Sequence, residues 1–352
     1  MDDTTSTRSG ATTAVLRNSF DAMRLSDSVF PVRPLIVDSD VLMRNIVREV
    51  RPGAPPTKLL NHMRMQTVRP FIAAHQVDEV RRHLERVAND SGVDPVEASR
   101  TFEQVYLPLL WQVDVSGLLS DHPLVDIVRK SDAADADTAK LAVLLGIRVL
   151  TANKGHFKEV AVEHDWLTVV AAYADTAILD GANGGIVVSV GMTTEGVVAA
   201  AQGVRRGFEY LTDHPRVAIG IGIGVLIIVV IGLIYLHDDE RRSRFKRTLV
   251  GATPKVASVI AQGAAWYGTV LEAAVDAEPV LVAASLPTGN PTLPQQLART
   301  LAASRWPVST DQLTAQMEAD RAAAAITVLR DHRAFVEHKD GWVLGTRQDP
   351  AA

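Results

Sequence analysis

Pro34-Leu-Ile-Val-Asp38-Ser-Asp40 decides how this chain is read: an apolar run stops at two carboxylates one residue apart. Aliphatic residues in so short a run, closed by polar ones, predict a buried strand. Working outward, Val41–Val50 predicts a helix closed by Arg51-Pro-Gly-Ala-Pro-Pro56, where the prolines forbid continuation. Thr57–Thr67 predicts a second helix and Pro70-Phe-Ile-Ala-Ala74 a second strand. Gln76–Asn89 then carries Val77, Val80, Leu84 and Val87 on one helical face. Another helix is expected from Pro95 to about Leu110, and an amphipathic one over Asp135–Leu145. Arg148–Thr151 predicts a third strand and Trp166–Val170 a fourth. Strands alternating with helices imply an α/β fold, a parallel sheet flanked by helices. Ligands of such sheets gather at the carboxyl ends of the strands, and there the acidic residues sit.

Four places supply oxygen donors to that end: Asp38 and Asp40, then Glu79, then Asp132, Asp135 and Asp137, then Asn153 in Leu150-Thr-Ala-Asn153. Hard divalent cations are held by a few carboxylates, with water and substrate phosphate completing the shell. Each residue also has a plainer use. An Asp at a strand end caps the next helix, Asp135 and Asp137 suit a helix's first turn, and Glu79 can pair with Arg82 or His83 on its own helix. Both uses stay open at this point. His62, His75 and His156 show no metal-ligand spacing; His156 is a candidate for substrate contact.

Taken in order, these motifs resemble the PIN family of ribonucleases over residues 34–170. Ile36-Val-Asp38-Ser-Asp40 is similar to the family's opening motif, and Val77-Asp-Glu79-Val to its early-helix Glu. Asp132-Ala-Ala-Asp135-Ala-Asp137, running into an Ala- and Leu-rich helix, is similar to its third motif. Thr151-Ala-Asn153-Lys-Gly-His-Phe157 is similar to its last. The resemblance implies a PIN-like sheet and a metal set of Asp38, Glu79, Asp132 and Asp135 for Mg²⁺ or Mn²⁺. It implies catalysis by Asp38, Glu79, Asp135, Thr151 and Asn153, and an endoribonuclease that hydrolyses RNA phosphodiesters with a metal-activated water. Arg81, Arg82 and Lys154 are the candidates for holding the RNA phosphates. The chain departs from the pattern at Asn153, where many active members carry Asp, and at Asp40, where Asn is common. That departure favours an alternative, a catalytically degenerate PIN adaptor that binds RNA or a protein.

The 352 residues carry no cysteine, which excludes disulfides and thiolate zinc sites, and a net charge of −5, which excludes a uniformly basic nucleic-acid binder. A local patch remains: residues 44–86 hold nine Lys or Arg against four acids, enough to attract an RNA backbone. Residues 1–30 read as a loose polar tail without a signal-peptide pattern, 31–172 as the nuclease-like domain, and 173–216 as a helical connector. Val217–Leu236 is an uncharged run of twenty residues. A helix of that length spans about 30 Å, the hydrocarbon thickness of a bilayer. A transmembrane helix is therefore expected, placing the chain at the inner (cytoplasmic) membrane with its nuclease-like domain in the cytoplasm. Gly220 and Gly224 form a Gly-x-x-x-Gly pair compatible with a homodimer. Three basic residues precede the run and six follow within 20 positions, which by the positive-inside rule puts the C-terminal side in the cytoplasm. One crossing would then export the N-terminal domain. A second crossing within 176–202, an overridden charge rule and a helix that does not span are the three resolutions, and the sequence leaves them open.

Residues 237–290 read as a basic juxtamembrane segment and an amphipathic helix over Pro254–Ala277. Residues 291–346 read as three helices and a hairpin, resembling a small winged-helix α+β domain. Ser309-Thr-Asp-Gln312 has the form of a capping box, and Asp340-Gly341 that of a hairpin turn. With seven basic and six acidic residues over 294–347 the module lacks the basic stripe of a DNA reader, so a protein partner is expected there as readily as nucleic acid.

Overall fold

The computed structural model describes residues 32–176 (less 65, 67 and 174) and 254–348 (less 288 and 316), with only the backbone of 254–268. The expected tail 1–30, most of the connector 173–216, the run 217–236 and the basic segment after it lie outside the described residues. Among the described residues no helix is long and apolar enough to cross a membrane. The chain divides into two compact units, residues 1–31 with 178–275, and residues 32–177 with 276–352.

The second unit holds a sheet of order β3-β2-β1-β4, with β1 Arg33–Val37, β2 Val68–Ala73, β3 Trp111–Val113 and β4 Val149–Leu150. All pairings are parallel, and β1 is central. The period-two rule of strands divides the apolar residues between two cores. Leu35, Val37 and Ile72 face one cluster, whereas Ile36, Phe71 and Ala73 face the other. Because Val37 pairs with Leu150, Asp38 and Thr151 both stand one step past the end of the sheet.

Two expectations for local structure are corrected. Trp166–Val170 is helical, not a strand. Asp165 accepts from the N–H of Leu167 at 2.8 Å, capping that helix, and the cap outweighs the β propensity of the Val pair. The remaining strand of the sheet is instead β3, Trp111–Val113, where the residue pattern signals no element. The helix expected to reach Leu110 instead runs Pro95–Thr101, loosens into a π-helical turn over Phe102–Tyr106 and tightens into a 3₁₀ turn at Leu107–Leu109. Pro108 has no N–H to continue an α-helix. Pro123–Ser131, opened by proline at its first position, is a further helix beyond those expected.

The C-terminal elements are the helices Leu293–Ala303, Thr310–Thr314 and Ala319–Asp331, then β5 Phe335–His338 and β6 Gly341–Leu344 in an antiparallel hairpin. The capping box is present: the Ser309 hydroxyl accepts from Gln312 N–H while the Gln312 side chain accepts from Ser309 N–H. These elements are not detached from the sheet. Leu297, Leu301, Trp342 and Leu344 belong to the same core as Ile36, Phe71 and Leu141. Thr346 exchanges two 2.8 Å backbone hydrogen bonds with Gln112, covering the open edge of β3.

Gly345 makes that edge contact possible. Its φ is +75°, and a β-carbon there would lie 2.6 Å from the Gln112 carbonyl oxygen. Gly345→Ala is expected to cost about 1–3 kcal/mol through left-handed strain and the clash. A urea midpoint unchanged by the substitution would remove this account of the edge.

Candidate metal centre

Asp38 is the buried acid of the site, with 4% of its surface exposed. Its Oδ1 accepts from Ser39 N–H at 2.9 Å and from the Gln76 amide at 2.5 Å; its Oδ2 accepts from the Thr151 hydroxyl at 2.8 Å. The helix-capping use and the site use therefore coexist in one side chain. Burial raises its pKa well above the carboxylate range, with Asp40 and Asp135 adding to the rise and Thr151 opposing it. Gln76 is fully buried, and its Oε1 has no hydrogen-bond partner among the described residues. Asp40, one helical residue on, accepts from Ala152 N–H at 3.1 Å. Thr151 Oγ1 also accepts from Asn153 N–H at 2.9 Å. The loop after β4 is thus tied to the residues after β1.

A second group stands beside the first. Nδ1 of His156 lies 3.2 Å from Oδ2 of Asp135 and 3.4 Å from Oδ2 of Asp132. One ligand atom from each of the three falls within 4.8 Å of the others. Asp135 opens the helix Ala136–Leu145 but makes no capping bond with its side chain, so its carboxylate is left to the cluster. Burial, then Asp132, push its pKa up to about 6, against the pull of His156. Glu79 adds to that rise, which places its charge within reach of Asp135.

The predicted residues therefore divide. Asp38, Thr151 and Asp40 belong to one hydrogen-bonded loop junction, and Asp132 and Asp135 converge on His156. Asp38 and Glu79 sense Asp135 electrostatically but do not join the tight three-residue group. Asn153 contributes its backbone N–H, and its exposed side chain makes no hydrogen bond among the described residues. Asp137 takes the plain role, pairing with Lys140 at 2.8 Å. Arg81 is engaged by Glu103 at 2.8 and 3.2 Å and by Asp78 at 3.3 Å, Arg82 by the Asp78 carbonyl at 3.3 Å, and Lys154 by the Glu163 carbonyl at 2.5 Å. All three cations have partners away from the cluster, so the structure does not bring them to it.

His156 and Gln76 are the residues that sequence reasoning underrates. His156 follows β4 by six residues, and only the fold sets it against a loop some twenty residues earlier. Gln76 offers no motif at all; its signal is complete burial of an amide. Two carboxylates and an imidazole form a donor set suited to a divalent cation, and nearby buried carboxyls raised in pKa are those a cation would ionise. Comparison with known proteins gives no match to any family model, curated protein or solved structure.

Proposed function

We propose that this chain is a divalent-metal-dependent endoribonuclease of PIN type. The observation that carries the reading is the convergence of Asp132, Asp135 and His156 on one point, with Asp38, just past the carboxyl end of β1, and Glu79 both in electrostatic range of Asp135. Asp132, Asp135 and His156 would hold the cation, and Asp38 would complete its charge balance from the Thr151 side. A bound cation would supply Lewis-acid charge for a phosphodiester and lower the pKa of water. Thr151 holds Asp38 in place through its hydroxyl. Glu79 adds negative charge that favours a cation over a lone proton at Asp135. An imidazole ligand shifts preference from Mg²⁺ toward Mn²⁺. The uncharged run 217–236 supports membrane anchoring, and the helix–helix–helix–hairpin order supports the winged-helix likeness.

The test is cleavage of labelled single-stranded RNA by the full chain in detergent, with Mn²⁺, with Mg²⁺ and with EDTA. Cleavage is expected with Mn²⁺, more weakly with Mg²⁺ and not with EDTA. Asp38→Asn with Asp135→Asn is expected to reduce it by about a thousandfold or more. The unengaged side chain of Asn153 favours a second reading, the non-catalytic adaptor. Tight RNA binding by the folded chain without cleavage under any metal would establish that reading in place of the nuclease.

A further inference from the structure

The opposite end of the sheet carries a different chemistry. There the amino ends of β2 and β3 meet the loop after the helix Leu293–Ala303, around a pocket lined by Arg69, Arg305, Arg347, Trp111 and Trp306. Among the described residues no Asp or Glu lines it. Arg69 is committed to the fold. Its guanidinium stacks 4.7 Å from the Trp111 ring and donates to the carbonyls of Leu301 at 3.2 Å and Arg305 at 3.1 Å. Arg305 and Arg347 are not so committed. Arg305 makes one long bond, 3.4 Å to the Gln66 carbonyl, and its buried Nε has no partner among the described residues. Arg347, on the exposed tail after β6, donates through Nε to the Pro108 carbonyl at 2.5 Å. Beside them Trp306 keeps 51% of its surface exposed, although large apolar side chains are usually covered.

We propose that this pocket binds a nucleotide, its phosphate held by Arg305 and Arg347 and its base stacked on Trp306. Guanidinium forks match phosphate oxygens in geometry and charge. An exposed indole offers the flat apolar face that every base can use, whatever its sequence. With the acidic cluster at the other end of the strands, this binding needs no metal and is independent of the nuclease reading. The nucleotide is either free or the 5′-phosphorylated end of an RNA strand, since both present the same groups.

The experiment is calorimetric titration of the full chain in detergent, in EDTA, with a 5′-mononucleotide, its nucleoside, inorganic phosphate, and a short RNA with and without 5′-phosphate. The mononucleotide is expected to bind with Kd of roughly 10–1000 µM, and phosphate about tenfold more weakly. Arg347→Ala, a change at an exposed position, is expected to weaken the nucleotide about tenfold, and Arg305→Ala likewise. Trp306→Ala is expected to lower the nucleotide to the affinity of phosphate, while Trp306→Phe keeps the preference. Asp135→Asn is expected to leave all of this unchanged. Tighter binding of 5′-phosphorylated RNA than of the mononucleotide identifies an RNA end; equal binding identifies a free nucleotide. No saturation by about 10 mM nucleotide in a chain that melts normally overturns the proposal. So does binding indifferent to both arginine variants, or binding of an acidic peptide where nucleotide fails.

Discussion

Asp135→Asn is expected to raise the melting temperature of the metal-free chain at pH 7 and to lower that of the chain with Mn²⁺. The carboxyl of Asp135 is pushed up to about 6 from an ordinary value of 3.8, by burial first and by Asp132 second. An acid whose pKa is raised on folding binds more protons folded than unfolded over that interval. Its stabilising contribution is therefore complete below about pH 3.8 and is lost as pH rises through about 6. At pH 7 the ionised group opposes folding by about 1–3 kcal/mol, once discounted for the solvent it still meets. A neutral amide escapes that cost, so variant and parent are expected to melt alike at pH 4 and to diverge at pH 7. With Mn²⁺ the order reverses, because a cation stabilises only the chain that binds it. Thermal melts at the two pH values, with and without Mn²⁺, check both signs. Identical melts in all four conditions would mean that Asp135 is neither strained nor a ligand.

Removing residues 291–352 is expected to unfold the sheet rather than to release an intact domain. Leu297, Leu301, Trp342 and Leu344 fill the same core as Ile36, Phe71 and Leu144. Gln295 donates to the Val143 carbonyl at 3.1 Å, and the backbone of Thr346 closes the β3 edge. Truncation would uncover the part of one sheet face that the helix Ala136–Leu145 does not cover and would leave the β3 edge unpaired, at a cost comparable with the 5–15 kcal/mol by which a domain is usually stable. The single change Leu301→Ala, at a site 2% exposed, is expected to cost about 2–5 kcal/mol. Urea unfolding of the Leu301 variant should shift as one transition that carries the sheet with it. A native circular dichroism spectrum from residues 32–176 alone would show instead that the sheet stands by itself.

The β1 strand, the helix Ser39–Glu49, the capping box at Ser309 and the β5–β6 hairpin, whose turn falls one residue earlier than expected at Lys339-Asp340, are legible in the sequence because their causes lie within a turn or two of the residues concerned. Hydrophobic period, side-chain caps and proline geometry act at that range. The convergence of Asp38 with Thr151 is legible too, because parallel strands bring their carboxyl ends together wherever they fall in the chain. Trp166–Val170 misleads, since one Asp cap outweighs a weak strand preference. The three-residue β3 is too short to show a period. What the sequence alone determined was therefore the α/β class and which acids stand at the sheet's carboxyl edge. The fold decided that His156 closes on Asp132 and Asp135 and that the Gln76 amide meets Asp38. It also decided that Leu301 and Arg305 share a wall with Arg69, more than 230 residues away in the chain. Contacts between distant segments follow from which apolar faces cover one another, and no local pattern of residues records that choice.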